Sequence, residues 1–314
     1  MADWKIKLMK LLKRGKHDAS LELREQNLPK SLFRYRPCSE QNFQTLERGT
    51  VWLSPPDKQN DPHDSRLSLV GGALNSLFQS VWPTLLGLSR SELEEAELAE
   101  DFSERCIEIL NTKYRDVSTS QTRKVISAMA INFHEVVIGR SRALALVPSQ
   151  FQKISCFTTD VTSSQMWAYY AGGHTGYCIE YPYEGMQMSD FCARWLYPVI
   201  YSDKRFNLWT VFKMSRRGTA LIHWFTLTAM HKGSQWSHEQ EWRIIAPPDY
   251  KHNEFQMPWP SGIYLGNKIK PKDKQRLISI VAELEKNRGL PIPIYEMSAS
   301  GTDYSLLPVR VRGT

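Results

Sequence analysis

A long run of helical patterning, Leu67–Val147, separates one early pair of strand-like segments from a later group of them. Strands and helices that fail to alternate do not build a doubly wound sheet, so the chain reads as α+β: a central split or mixed sheet with a helical insertion between its second and third strands. Residues 31–36 alternate and stop at Pro37, giving the first strand. A short helix over 39–48 follows, capped by Ser39 and ended by Gly49, and residues 50–54 form the second strand. The insertion shows helical spacing over 89–110 and again over 122–138, where Val125, Met129, Phe133 and Val137 share a face. After Pro148 the strands return with residues 154–157, the aromatic segment 166–170, residues 176–181 and 198–201. A helix over 208–230, the segment 236–245 with an apolar strand-like end, a strand at 262–266, a helix over 272–288 and a strand at 292–297 complete the reading. The expected organisation is a basic amphipathic helix and linker over 1–30, then a single domain over 31–314 with the insertion at about 68–150.

Charge is distributed unevenly. Residues 1–36 hold ten Lys/Arg against four acids, and the formal net charge is +7, which fits a polyanionic partner or an anionic ligand. A solvated basic helix is the plainer account of the same residues. Residues 92–104 run the other way, with seven acids and no base. The five cysteines include no Cys-x-x-Cys pair, which argues against a disulfide framework and a structural zinc site. Lysines interrupt the apolar residues of the N-terminal helix, no segment has the composition of a membrane span, and the expected compartment is the cytoplasm.

Four clusters have the residue types of a site. Arg34 and Arg36 share one face of the first strand; a planar guanidinium fork binds paired oxygens, so the pair suits a diphosphate or carboxylate, or else a surface ion pair. Asn60, Asp61, His63 and Asp64 follow a double-proline turn, either as ligand-type groups on a stiff loop or as an Asx-turn serving only the backbone. In the stretch 166–176, dense aromatics, Gly172-Gly173 and His174 suggest a stacking platform with Tyr170 and His174 in the site, Trp167 being core. If residues 239–243 are extended, Glu239, Glu241 and Arg243 share a face while Trp242 and Ile244 turn to the core. Adjacent carboxylates push each other's pKa apart, a device common in active sites, although an exposed Glu–Arg ladder has the same pattern.

Leu32-Phe33-Arg34-Tyr35-Arg36, Trp52-Leu53-Ser54, Asn60-Asp61-Pro62, Cys156-Phe157, Met166-Trp167 with Tyr169-Tyr170-Ala171, and residues 174–180 occur in that order, followed by Trp236, Glu239-x-Glu241-Trp242-Arg243 and Leu265-Gly266. The ensemble resembles a bacterial family filed as the domain of unknown function numbered twenty-nine seventy-one. That family usually has Phe-Glu after Asn-Asp-Pro, where this chain has His63-Asp64. More distantly, the opening is similar to that of ADP-ribosyltransferase toxins and of transferases acting on nucleic acid. This likeness implies an NAD-using transferase, a toxin or phage-defence effector acting on nucleic acid or protein. By it Arg34 binds the ribose or phosphates, Tyr170 stacks nicotinamide, Glu241 holds the ribose hydroxyl and stabilises the oxocarbenium, and Glu239 orients the acceptor. Arg36, Ser54, Asn60, Asp61 and His174 complete the expected NAD-binding set, with no metal. Two other functions stay open: a metal-dependent nuclease or hydrolase using Asp61, His63, Asp64 and the glutamates, and a non-enzymatic module binding nucleic acid through the basic N-terminus.

Overall fold

The computed structural model describes residues 3–68, 78–79, 81–207, 210, 214, 221–247 and 249–312. Of the helix expected over 208–230, residues 208–209, 211–213 and 215–220 lie outside the described residues, and a helix runs from Leu221 to Ala229. The chain divides into two compact units. One comprises Met1–Arg66, Pro148–Phe206 and Met214–Thr314; the other comprises Leu67–Val147 and Asn207–Lys213. Among the described residues no helix is long and apolar enough to cross a membrane.

The first unit is built on an eight-stranded mixed sheet, as the α+β reading expected. In chain order the strands used below are β1 (Ser31–Arg36), β2 (Thr50–Trp52), β3 (Ile154–Thr158), β4 (Tyr177–Pro182), β5 (Leu196–Pro198), β6 (Ile200–Tyr201), β7 (His231–Lys232), β8 (Glu241–Ile245), β9 (Glu254–Gln256), β10 (Gly262–Leu265), β11 (Ile294–Ala299) and β12 (Leu306–Arg312). The sheet order is β12-β11-β10-β4-β1-β3-β8-β5, parallel only between β10 and β11. β1 pairs with β4 along its whole length, from Ser31↔Pro182 to Arg36↔Tyr177. Against β3 it pairs only at Phe33↔Thr158. The sheet is thus loosely joined at its centre.

The core beneath the sheet gathers Leu32, Phe157, Tyr181, Trp242, Ile244 and Ile263. A helix at Pro271–Arg288 covers it through Leu277, Ile280, Val281 and Leu284, the spacing of one helical face. Proline in its first turn and Gly289 in the left-handed region (φ 72°) set its ends.

The N-terminal helix α1 (Asp3–Lys13) buries Leu8 and Leu12, and Trp4 stacks on Trp242 at 5.9 Å. Its cations are partly used within the fold: Lys5 donates to the Val199 carbonyl at 3.1 Å and Lys13 lies 5.4 Å over Phe206. Arg24, on α2 (His17–Glu25), is buried and donates to the carbonyls of Arg194 and Leu196, and the short helix capped by Ser39 is α3 (Glu40–Glu47).

The second unit is helical. The single helix expected over 89–110 is two, α4 (Arg90–Ala96) and α5 (Phe102–Lys113), because Asp101 caps a fresh start by accepting from the amides of Ser103 and Glu104. Phe78, Trp82, Leu88, Ala96, Cys106, Ile107 and Leu110 form its core. The next helix, α6 (Thr119–Phe151), is longer than expected and runs through Pro148.

Two further expectations fail in the first unit. Residues 166–170, placed among the strands, lie in a helix, α7 (Ser164–Tyr170), whose start Ser163 caps by accepting from Met166 N–H. Glu239 is not on a strand with Glu241: it ends a 3-10 turn, Ser234–Glu239, and Gln240 takes a left-handed conformation (φ 44°) before β8 begins.

Candidate functional site

The weak junction between β1 and β3 opens into a cavity of about 230 Å³ within the first unit. Its lining brings together Arg34, Arg36, Ser54, Asn60, Tyr170, Glu239 and Glu241, from four stretches of chain, 34–36, 54–60, 170 and 239–241.

On one side stand the arginines of β1. Arg34 is buried, and its terminal nitrogens donate to Ser155 Oγ and to the carbonyls of Cys156 and Trp52, both at 3.3 Å. All three acceptors are uncharged. Arg34 Nε is buried with no partner, and among the described residues no carboxylate pairs with Arg34 or Arg36. Burial pushes the Arg36 guanidinium below its ordinary pKa. Arg34 is buried and Arg36 half-buried, and guanidiniums so placed without a counter-charge are costly unless an anion joins them.

On the other side lies an ion-pair network that is less than 5% exposed at every side chain. Arg243, on β8, grips both oxygens of Asp64 at 2.7 and 2.6 Å and donates to Glu241 Oε1 at 2.7 Å. Lys232, at the end of β7, donates to Glu241 Oε2 at 3.0 Å and to Glu239 Oε2. The other oxygen of Glu239 accepts from the Tyr170 hydroxyl at 2.5 Å, and that hydroxyl accepts from Asn60 Nδ2 at 2.6 Å. α7 supplies Tyr170 from its last turn, with Met166 and Trp167 anchoring the helix in the core.

The two glutamates are therefore different groups. Burial alone would raise the Glu241 carboxyl, but Arg243 and Lys232 outweigh it and hold Glu241 well below the usual carboxylate range. Burial raises Glu239, and Glu241 adds to the rise against the opposing pull of Lys232. With Asp64, Glu239 and Glu241 ionised against Lys232 and Arg243, one negative charge is left uncompensated. Glu239 has the weakest cationic support of the three, because it shares Lys232 with Glu241 while Arg243 serves Glu241 and Asp64. Such a pair, one carboxyl held ionised and its neighbour held back, divides roles between charge and proton transfer.

Two expected members stand apart from the cavity. Asp61 is buried and its Oδ1 accepts from His63 N–H at 2.9 Å, the Asx-turn arrangement; it lines a different pocket. His174 does not line the cavity. It sits at φ 69°, and its carbonyl accepts from Lys268 N–H at 3.0 Å. The surrounding glycines are there for close backbone contact: a Cβ on Gly176 would come within 2.1 Å of the Arg36 carbonyl oxygen, and one on Gly266 within 2.2 Å of that of His174.

Lys232, Ser155 and the thiol of Cys156 are site residues that the motifs did not reveal. Cys156, which reads as a small buried hydrophobe, is pushed well above its ordinary pKa by burial and then by Glu241. The available signal for Lys232 was a lone cation following the uncharged run Leu221–Met230, seven positions before Glu239.

Residues 166–244 match the family model described as Protein of unknown function (DUF2971). The matched span includes Tyr170, Lys232, Glu239, Glu241 and Arg243, and leaves out Arg34, Arg36, Asn60 and Asp64. The segment is thus similar to the DUF2971 family over the acid-bearing half of the cavity. No curated protein and no solved structure matches the chain, so the ADP-ribosyltransferase likeness has no counterpart among them.

Proposed function

We propose that the cavity binds NAD and transfers its ADP-ribosyl group. The observation that carries this reading is the pairing, across one cavity, of a buried and a half-buried arginine that no carboxylate joins among the described residues with the carboxyl of Glu239, which shares its lysine with Glu241. Arg34 and Arg36 suit the phosphates. Heterolysis of the nicotinamide–ribose bond builds positive charge on the sugar, and a preorganised carboxylate placed there stabilises it. Glu239 takes that role, with Tyr170 and Lys232 fixing its two oxygens. Glu241 acts through Lys232 as a positioning residue, because Arg243 and Lys232 already occupy it. At about 230 Å³ the cavity is smaller than the roughly 300–1,000 Å³ pockets that enclose whole drug-sized ligands. It is assigned the nicotinamide–ribose end and the adjoining phosphate.

The test is NAD binding by calorimetry with nicotinamide release followed in parallel, candidate nucleic-acid and protein acceptors being present. Binding and release that Glu239→Gln stops are expected. A folded protein that neither binds nor cleaves NAD removes the reading. A second reading, a nucleotide-binding module without turnover, draws on the complete pairing of Glu241; it requires tight NAD binding with no nicotinamide released.

A further inference from the structure

Beside the cavity, and sharing Asn60 and Tyr170 with it, lies an open pocket of about 340 Å³ completed by Tyr169, Gln235, Trp236 and His238. Tyr169 is 65% exposed although large and aromatic, and its ring stands at 85° to that of Tyr170. Trp236 holds Lys232 Nζ 5.0 Å over its ring, so the pocket wall touches the residue that fixes Glu239. Trp236 Nε1 and His238 Nε2 are buried and have no hydrogen-bond partner. His238 Nδ1 faces the Gln235 carbonyl at 3.2 Å. In the neutral imidazole this puts the proton on Nδ1 and leaves Nε2 an acceptor. An unused donor and an unused acceptor thus belong to the same pocket as the exposed Tyr169 ring, the complement of a base edge with its face to be stacked.

Gln235 also lines a third pocket, of about 270 Å³, with Arg66, Lys204, Arg205 and His63. Asp61, which accepts from the His63 amide, and Asp203, which accepts from Ser234 Oγ, also line it, and the cations outnumber them. Arg66 Nε is buried without a partner. Rings for bases adjoining cations for a backbone is the pattern of single-strand binding, whereas a protein side chain as acceptor needs no stacking ledge.

Resting on the NAD reading above, we infer that the aromatic pocket receives a nucleobase of single-stranded nucleic acid as the ADP-ribose acceptor, with flanking phosphate held by the basic pocket. The acceptor nitrogen bonds to C1′ of the ribose as the bond from C1′ to the nicotinamide nitrogen breaks. Nicotinamide leaves neutral with that electron pair, and the acceptor's proton passes to Glu239.

The experiment is a titration of fluorescently labelled, mixed-sequence single-stranded oligodeoxynucleotide without NAD, followed by transfer from radiolabelled NAD to the same oligonucleotide. Salt-dependent binding is expected, weakened about tenfold by Tyr169→Ala and also by Lys204→Glu, both at exposed positions. Absence of binding, binding that both substitutions leave unchanged, or label appearing on a protein acceptor instead overturns the inference. Acceptor-free NAD cleavage is read alongside. A protein that cleaves NAD but ignores the oligonucleotide keeps its function and loses this acceptor pocket.

Discussion

Arg243 binds Asp64 through two hydrogen bonds, 2.7 and 2.6 Å, although 179 residues of chain separate them. Both side chains are fully buried, so each is the other's replacement for water. Removing Arg243 leaves Asp64 buried without a cation, and Arg243→Met is expected to destabilise the protein by about 3–5 kcal/mol. Chemical denaturation measures it. The paired replacement Asp64→Leu with Arg243→Met should recover much of the loss; a single replacement as mild as an ordinary surface change would contradict the network.

The glutamates separate under mutation. Glu239→Gln should lower NAD cleavage on the order of 10²–10³-fold while circular dichroism and melting stay close to the parent. Glu241→Gln removes the anion between Arg243 and Lys232, so its main effect should be loss of folded protein. Equal activity losses at equal stability would show the roles to be undivided.

Arg36 has no carboxylate partner among the described residues, so Arg36→Met should leave stability within about 1 kcal/mol of the parent. Affinity for inorganic diphosphate, titrated calorimetrically, should fall about tenfold or more. Undiminished diphosphate binding would detach the arginines from the ligand.

Stability should fall away at both pH extremes. Glu241 has a folded pKa below its ordinary 4.5, so its contribution is complete above that value and is lost as pH falls toward the folded pKa. Lys232 is raised above 10.5, chiefly by Glu241 against desolvation, so its contribution is complete below that value and is lost as pH rises beyond it. Glu239 acts oppositely to Glu241: with its pKa raised, it trims stability as pH climbs through the ordinary carboxyl range, and cleavage should rise with its ionisation. Equilibrium unfolding across pH, on the parent and on Glu241→Gln, resolves the contributions.

His174 and Gly176 test backbone against ligand roles. His174→Gly suits φ 69° and should leave NAD affinity unchanged. Gly176→Ala places a Cβ against the Arg36 carbonyl and should unfold or displace β1.

The sequence made the local devices readable: the strand that ends at Pro37, the Ser39 cap accepting from Asn42 N–H, and the adjacent glutamates. It misplaced residues 166–170 because aromatic residues favour strands, whereas the Ser163 cap and the burial of Met166 and Trp167 fix a helix. It aligned Glu239 with Glu241 because period-two spacing says nothing of a left-handed Gln240 between them. Lys232 and the Asp64–Arg243 contact stayed hidden for a different reason. Nothing local distinguishes an inward lysine from a solvated one, and partners far apart in the chain meet only once the sheet is assembled.

The single rung joining β1 to β3 makes the sheet's centre its least stitched line, with β4 and β1 in one half and β3 and β8 in the other. Any ligand gripped by Arg34 on one margin and Glu239 on the other becomes a staple across that seam. Occupancy would then register as slower amide exchange along β1 and β3, in strands whose chemistry is otherwise silent.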